Sequence, residues 1–269
     1  MKDRVVLITG ATDGIGRQTA IELAEKGFNV IVHGRNESKT NMVMNEIKKI
    51  SGSNNVFSVA ADLSSLDNVR KLADTIISNY SRLDVLVNNA GIYMNKLVYS
   101  PEKYEMTFAV NHLSHFLLTN LLLEMLKKSD DGRIINVSSI AHQNAKLDWS
   151  NLNSEKSFSS YGTYALSKLA NILFSNELAS RLKGTNLKSN SLHPGVITTK
   201  LLKTGFNMTG ASVKKGAETS VYLASSERAA SVSGEYFIDS NISKPHPTAV
   251  DRTVMTQFWS VSEEMTELN

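Results

Sequence analysis

The chain predicts an α/β fold: a doubly wound parallel sheet of about seven strands with helices on both faces. Three observations point there. Short apolar runs alternate with longer segments of helical periodicity along the whole length. The first apolar run ends in a glycine-rich turn, TGATDGIG at 9–16, which opens directly into a helix. Strands separated by helices are joined by parallel crossovers, which place helices on both sheet faces. No repeat, low-complexity tract or linker divides the 269 residues, so a single domain over 1–269 is expected.

VVLI (Val5 to Ile8) is a buried-strand run. Ile15, Ala20, Leu23 and Ala24 recur at helical spacing and predict a helix from Ile15 to Lys26, stopped by Gly27. VIV (Val30 to Val32) is the second strand, followed by a polar helix ending near Ser51 and Gly52. VFSVAA (Val56 to Ala61) is the third, and a helix from about Ser65 to Tyr80 follows with Ser64 as its expected N-cap. Leu83 to Val87 supplies the fourth strand, and a long, mostly apolar helical region covers about Pro101 to Lys128. Arg133 to Ser139 is the fifth strand. A loop-like stretch at 142–160 then leads into a strong helix from about Tyr161 to Leu182. LKSNSLHPG from Leu187 is the sixth strand, and GEYFI from Gly234 is a candidate seventh. The tail from Lys244, with Pro245 and Pro247, cannot continue a helix there and is a candidate to wrap the substrate mouth.

Hydrophobic residues make up 41% and charged residues 20%, an ordinary globular balance that argues against disorder. The net charge of +3 is spread along the chain without a basic run, so neither nucleic acid nor a charged membrane surface is an expected partner. With no cysteine, disulfides, thiolate metal sites and cysteine nucleophiles are excluded. No apolar run approaches the roughly 18 residues of a spanning helix, and a cytoplasmic location is expected.

The chemistry-bearing residues gather at the expected carboxyl edge of the sheet, where open parallel sheets bind ligands. In the first turn Gly10, Gly14 and Gly16 let backbone approach a pyrophosphate, with Thr12, Asp13 and Ile15 between them and a helix N-terminus supplying N–H donors. The second strand ends in His33-Gly34-Arg35-Asn36, with no acid before Glu37. A carboxylate there would accept from the ribose hydroxyls of NAD; Arg35 instead suits a 2′-phosphate, so NADP (NADPH) is favoured over NAD. Tyr164 and Lys168 lie four apart on a predicted helix and therefore share one face. A phenol of ordinary pKa about 10 is a poor base at neutrality, and a neighbouring ammonium is expected to bring it down. Lysine also has the reach to donate to ribose hydroxyls. Ser138 and Ser139 end the fifth strand: a hydroxyl there can bond a substrate carbonyl, and shaping the loop is the preferred role for Ser138.

With these motifs in order, the chain resembles the short-chain dehydrogenase/reductase family over nearly its full length. The residues that carry the resemblance are TGATDGIG, Asp62-Leu63, Asn88 to Gly91, Asn111, Ser139, Tyr164 with Lys168, and HPGVITT from His193. The resemblance implies a Rossmann-type sheet and hydride transfer between a nicotinamide and a small-molecule carbonyl or alcohol. It implies Tyr164 as general acid/base, Ser139 as the carbonyl-orienting hydroxyl, Lys168 as ribose ligand and Asn111 as holder of a relay water. It further implies Asp62 and Leu63 at the adenine, Asn89, Ala90 and Gly91 beside the riboses, and Pro194, Ile197 and Thr199 at the carboxamide. A homodimer or homotetramer is implied by analogy alone. NVSSIAH, YALSKLANILF and the spacing of 25 between Ser139 and Tyr164 resemble the retinol dehydrogenase and WW-domain oxidoreductase branch. No segment resembles that branch's membrane anchor or a WW domain, so the resemblance does not extend to retinoid or steroid substrates.

The competing class is a non-catalytic NADP-binding regulator of the same fold, against which the complete Ser139, Tyr164, Lys168 and Asn111 set argues. His112 and His115 imitate a metal pair but lack a third ligand, so packing is the expected role and no metal is assigned. His142 is a candidate pocket residue and His193 a strand-end residue. Ile172, Leu173, Phe174 and Leu178 form a stripe that suits either helix core or a subunit interface.

Overall fold

The computed structural model describes residues 3–268. Its sheet has eight strands: β1 (Val5–Ile8), β2 (Asn29–Gly34), β3 (Val56–Ala60), β4 (Val85–Asn88), β5 (Gly132–Val137), β6 (Leu187–His193), β7 (Tyr236–Ile238) and β8 (Asn241–Ser243). Their order is β3-β2-β1-β4-β5-β6-β7-β8. The first seven run parallel, and β8 returns antiparallel to β7. The expected doubly wound sheet is thus present with one strand more than expected. The added hairpin turns at Asp239 and Ser240, both at positive φ (48° and 61°), a conformation usually given to glycine or asparagine. Neither residue advertises such a turn, which is why β8 is silent in the sequence.

Strand side chains alternate between two apolar layers, as the period of two requires. Val5 and Leu7 of β1 face one core, while Val6 and Ile8 face the other. The second core packs on α1 (Gly14–Glu25), α2 (Glu37–Ser51) and α9 (Val213–Ser225). The first packs on α3 (Leu66–Asn79), α5 (Ser114–Leu121) and α7 (Ser160–Arg181). The cap of α3 is Ser65 rather than Ser64: Ser65 Oγ accepts from the Asn68 amide, while the Ser64 amide is turned onto Asp62 Oδ1 (3.0 Å).

The long apolar region is broken where the sequence suggested one helix. It runs as α4 (Met106–Phe108), a π-helical stretch Ala109–Leu113, α5, and α6 (Leu123–Leu126). Helix α7 is buried from Thr163 to Ala179, and Ile172, Leu173, Phe174 and Leu178 all lie in the chain's own core.

The tail departs most from expectation. Beyond a 3₁₀ turn at Pro247–Val250 it forms α10 (Arg252–Met265), started by Asp251, whose Oδ1 accepts from the Thr253 and Val254 amides. The prolines stop nothing here, because they precede the cap. Helix α10 docks on α7 through Trp259, whose ring lies 4.9 Å from Phe116 and 5.8 Å from Phe174, with the Arg181 guanidinium 4.2 Å over it. Most of the tail therefore covers α7, and only its first residues approach the Ser139 loop. Among the described residues no helix is long and apolar enough to cross a membrane.

Candidate active site

The chain leaves β3 on one side of β1 and re-enters the sheet at β4 on the other, so a crevice opens where strand order reverses. Gly10 lies at φ +64°, and a Cβ there would stand 2.8 Å from the Ala90 Cα. A Cβ on Gly16 would overlap Asn89 Nδ2 and come within 2.6 Å of the Gly10 carbonyl. These contacts draw the β1–α1 turn against Asn89 and Ala90. Thr9 Oγ1 accepts from both of their amides (2.9 and 3.0 Å), and Asn89 Nδ2 donates to the Thr9 carbonyl at 2.8 Å. Asp13 caps α1, its Oδ1 accepting from the Gly14 amide at 2.7 Å.

At the end of β2 the buried His33 accepts from the Gly10 amide through Nδ1 (3.2 Å) and leaves Nε2 for the Ala61 carbonyl (3.0 Å). Burial lowers its pKa to about 4, so it is a neutral strut of the turn. Arg35, one residue past the strand, is exposed, and Thr12 packs its methyl against Gly34. Asp62 is half-buried and Leu63 buried at the end of β3. On the far side, Ile197 approaches Ile15 across Gly216, and Thr199 caps α8 (Lys200–Phe206) beside Gly14. Pro194 is half-buried at the end of β6.

Between α1 and α8 lies a cleft of about 490 Å³ carrying Arg17, Lys200 and Lys203 against the single carboxylate of Asp13. Backbone that tolerates no side chain, the start of a twelve-residue helix and a cationic wall fit a dinucleotide diphosphate.

The residues expected to react converge beyond this turn. Tyr164 is 7% exposed and Lys168 3%, with Lys168 Nζ 5.6 Å from the Tyr164 ring centre. Lys168 Nζ donates to the Val137 carbonyl at 3.1 Å, and Ser138 Oγ donates to the Lys168 carbonyl at 2.7 Å. The end of β5 is thereby tied to α7 directly beside Ser139. Ser138 thus shapes the loop, the role preferred for it.

Burial pushes Tyr164 up to about 12, opposed by a hydrogen bond with the Ser139 hydroxyl. Burial also lowers Lys168 to about 8. The expected depression of the phenol is therefore reversed here: desolvation dominates, and the Tyr161 and Tyr93 phenols add to it.

Asn111 lies in the π-helical stretch. Its Oδ1 accepts from the Ile92 amide (2.8 Å), and its Nδ2 donates to the Ile92 carbonyl and to Ser167 Oγ, both at 3.0 Å. A Cβ on Gly91 would lie 3.5 Å from both Asn111 Oδ1 and Lys168 Nζ, so these three residues meet at one point.

The ring contacts around Tyr164 carried no readable signal. Phe206 of α8 lies 5.6 Å from Tyr164 and 4.7 Å from Tyr93, and Tyr161 adds an edge contact to Phe206 at 6.2 Å. Aromatic rings thus meet the Tyr164 ring from two separate segments, at Tyr93 and at Phe206. The pocket role expected of His142 is not met: it is fully buried and bonded to the Ser139 carbonyl and the His246 amide. His112 meets Ser262 Oγ (2.9 Å) and His115 meets Thr9 Oγ1 (3.0 Å), both as packed core side chains. No group of three metal-ligating side chains occurs among the described residues.

Known proteins are similar to this chain. Retinol dehydrogenase 14 of Homo sapiens is 40% identical, across 100% of this chain and 88% of that protein. Retinol dehydrogenase 11 of Homo sapiens is 38% identical, across 96% and 84%. A crystal structure of a protein from Mycobacterium paratuberculosis superposes with a TM-score of 0.84 at 31% identity, covering 99% of this chain and 94% of that one. A short chain dehydrogenase from Shigella flexneri, complexed with NADP, gives 0.72 at 28% identity, covering 90% and 98%. The sequence pattern of the short chain dehydrogenases matches residues 4–210. With that match joined to the sheet and crevice above, the chain belongs to the short-chain dehydrogenase/reductase family of oxidoreductases.

Proposed function

We propose that the protein transfers a hydride between NADP(H) and a carbonyl or alcohol, with Tyr164 moving the proton. The observation that carries this reading is the convergence of Tyr164, Lys168 and Ser139 at the crevice mouth. Bound NADPH supplies the hydride. Everything else falls to the chain. The Ser139 hydroxyl orients the carbonyl and stabilises the oxygen as negative charge develops on it. Tyr164, protonated at neutral pH, gives its phenolic proton to that oxygen. Lys168 binds ribose and favours the phenolate left behind. Asn111, through Ser167 Oγ, which donates to the Tyr164 carbonyl at 2.7 Å, holds the second turn of α7 in place. Alcohol oxidation runs the same steps in reverse.

The preference for NADP is supported by exposed Arg35 at the end of β2 and by the absence of a carboxylate at that strand end. The Shigella flexneri relative complexed with NADP supports it as well. Asp62 and Leu63 at the end of β3 border the adenine in this reading, and Pro194, Ile197 and Thr199 border the carboxamide. The rings of Tyr93, Tyr161 and Phe206 favour an apolar substrate, in keeping with the retinol dehydrogenase relatives. Steady-state loss of NADPH absorbance with a panel of aliphatic, aromatic and polyene carbonyls is the direct test. Turnover of an apolar carbonyl supports the reading, and binding of NADPH without turnover of any carbonyl or alcohol overturns it.

A further inference from the structure

The peptide unit joining Ser139 to Ile140 is held at both ends by imidazoles. Its carbonyl lies 2.7 Å from His142 Nδ1, and its N–H donates to His193 Nδ1 at 3.2 Å. The protons on the two rings follow from their partners. The His246 amide donates to His142 Nε2 at 3.1 Å, so that nitrogen is bare and the ring proton sits on Nδ1, where it donates to the carbonyl. His193 Nδ1 receives an amide hydrogen, so its own proton sits on Nε2. The rings thus carry opposite tautomers, matched to the two ends of one peptide.

Both sites are built to stay that way. His142 is fully buried, with the Tyr236 ring edge-on at 4.9 Å, and His193 is 8% exposed at the end of β6. Ser138, one residue earlier, is anchored through its hydroxyl to the Lys168 carbonyl and through its amide to the Leu192 carbonyl, so the chain is held on both sides of Ser139. We propose that His142 and His193 are positioning residues that clamp the Ser139–Ile140 peptide and so aim the Ser139 hydroxyl at the reacting oxygen. The proposal rests on the reading of Ser139 given above. It also gives the tail a role, because the His246 amide, by occupying His142 Nε2, selects the tautomer that Ser139 needs.

Four variants separate aiming from mere packing. His142→Asn retains a donor near the Nδ1 position and loses the acceptor for His246. His142→Gln does the opposite. His193→Asn retains an acceptor at Nδ1, and His193→Leu removes it. We expect kcat to fall about 10- to 100-fold in His142→Gln and His193→Leu with the KM for NADPH unchanged, and both asparagine variants to recover most of it. Equal losses within each pair, following the folded fraction, overturn the proposal. Imidazole ¹⁵N shifts of the unmutated protein give an arm independent of activity. Nδ1–H on His142 with Nε2–H on His193 supports the clamp, and any other pairing overturns it. Should Tyr164→Phe retain full turnover, the assigned chemistry fails, while the ¹⁵N shifts still decide the clamp.

Discussion

Lys168 Nζ stands 5.6 Å from the Tyr164 ring, and burial moves the two groups in opposite directions, the phenol up to about 12 and the amine down to about 8. Each is pushed toward its neutral form. Near neutrality the phenol keeps its proton and the lysine keeps most of its charge, which is the state the proposed carbonyl reduction needs before hydride arrives. Tyr164→Phe deletes the proposed proton donor and leaves the ring packing on Tyr93 and Phe206. Turnover is expected to fall about 10²- to 10⁴-fold with NADPH affinity unchanged. Single-turnover rates and fluorescence titration of NADPH check this, and full activity in the variant would falsify the mechanism.

Arg35→Asp replaces the cation at the end of β2 with a charge that repels a 2′-phosphate. Binding of NADPH should weaken by at least about tenfold more than binding of NADH, since a charged hydrogen bond is worth about 1.5–3 kcal/mol. Parallel titrations with both cofactors decide it. Equal losses contradict the assignment of NADP.

Gly16→Ala drives a methyl group into Asn89 Nδ2 and the Gly10 carbonyl. The second contact is backbone and cannot swing aside. Destabilisation of about 1–3 kcal/mol is expected, together with weakened cofactor binding as the β1–α1 turn opens. Urea unfolding and calorimetric titration measure the two effects, and an unchanged unfolding midpoint contradicts the packing described.

Phe206→Ala removes the ring that α8 lays on Tyr93 and Tyr164. The ratio of kcat/KM for a bulky over a small carbonyl should rise by about tenfold or more, because the pocket wall moves and the proton donor does not. An unchanged ratio would place Phe206 outside the substrate path.

Acid should destabilise the fold through its buried histidines. Burial lowers His33 and His193 to about 4, and His112 and His115 to about 3. Unfolded, each takes up its proton near about 6.5. Between those values the unfolded chain binds more protons than the folded one. Stability therefore rises with pH across that window and is lost as pH falls through it, by up to about 1.4 kcal/mol per pH unit for each histidine. Urea midpoints at pH 7.5 and pH 5 test the sign, and a midpoint that does not drop at the lower pH refutes it.

Much of the fold is written locally. Apolar runs of strand length, helical periodicity and a glycine turn between strand and helix are properties of neighbours in the chain, so β1 to β7 and the helix bearing Tyr164 and Lys168 were legible one segment at a time. Ser139 was singled out by its place at the end of the fifth strand and Asn111 by a family pattern of ordered motifs, neither of which needs coordinates. The eighth strand and α10 were missed for local reasons of their own: an Asp-Ser pair bears no mark of its left-handed turn, and two prolines hid the cap that follows them.

What the residues alone could not reveal is every quantity that depends on who lies opposite whom. The direction of the Tyr164 shift required knowing how far water is excluded from the phenol, which is set by Tyr93 and Phe206, 71 and 42 positions away. The tautomers of His142 and His193 required the amides of His246 and Ile140, and the role of the tail required its seat on α7. Periodicity and motif order travel along the backbone and survive in a string of letters. Desolvation, tautomer and packing are fixed by contacts across space, and only the folded chain brings those partners together.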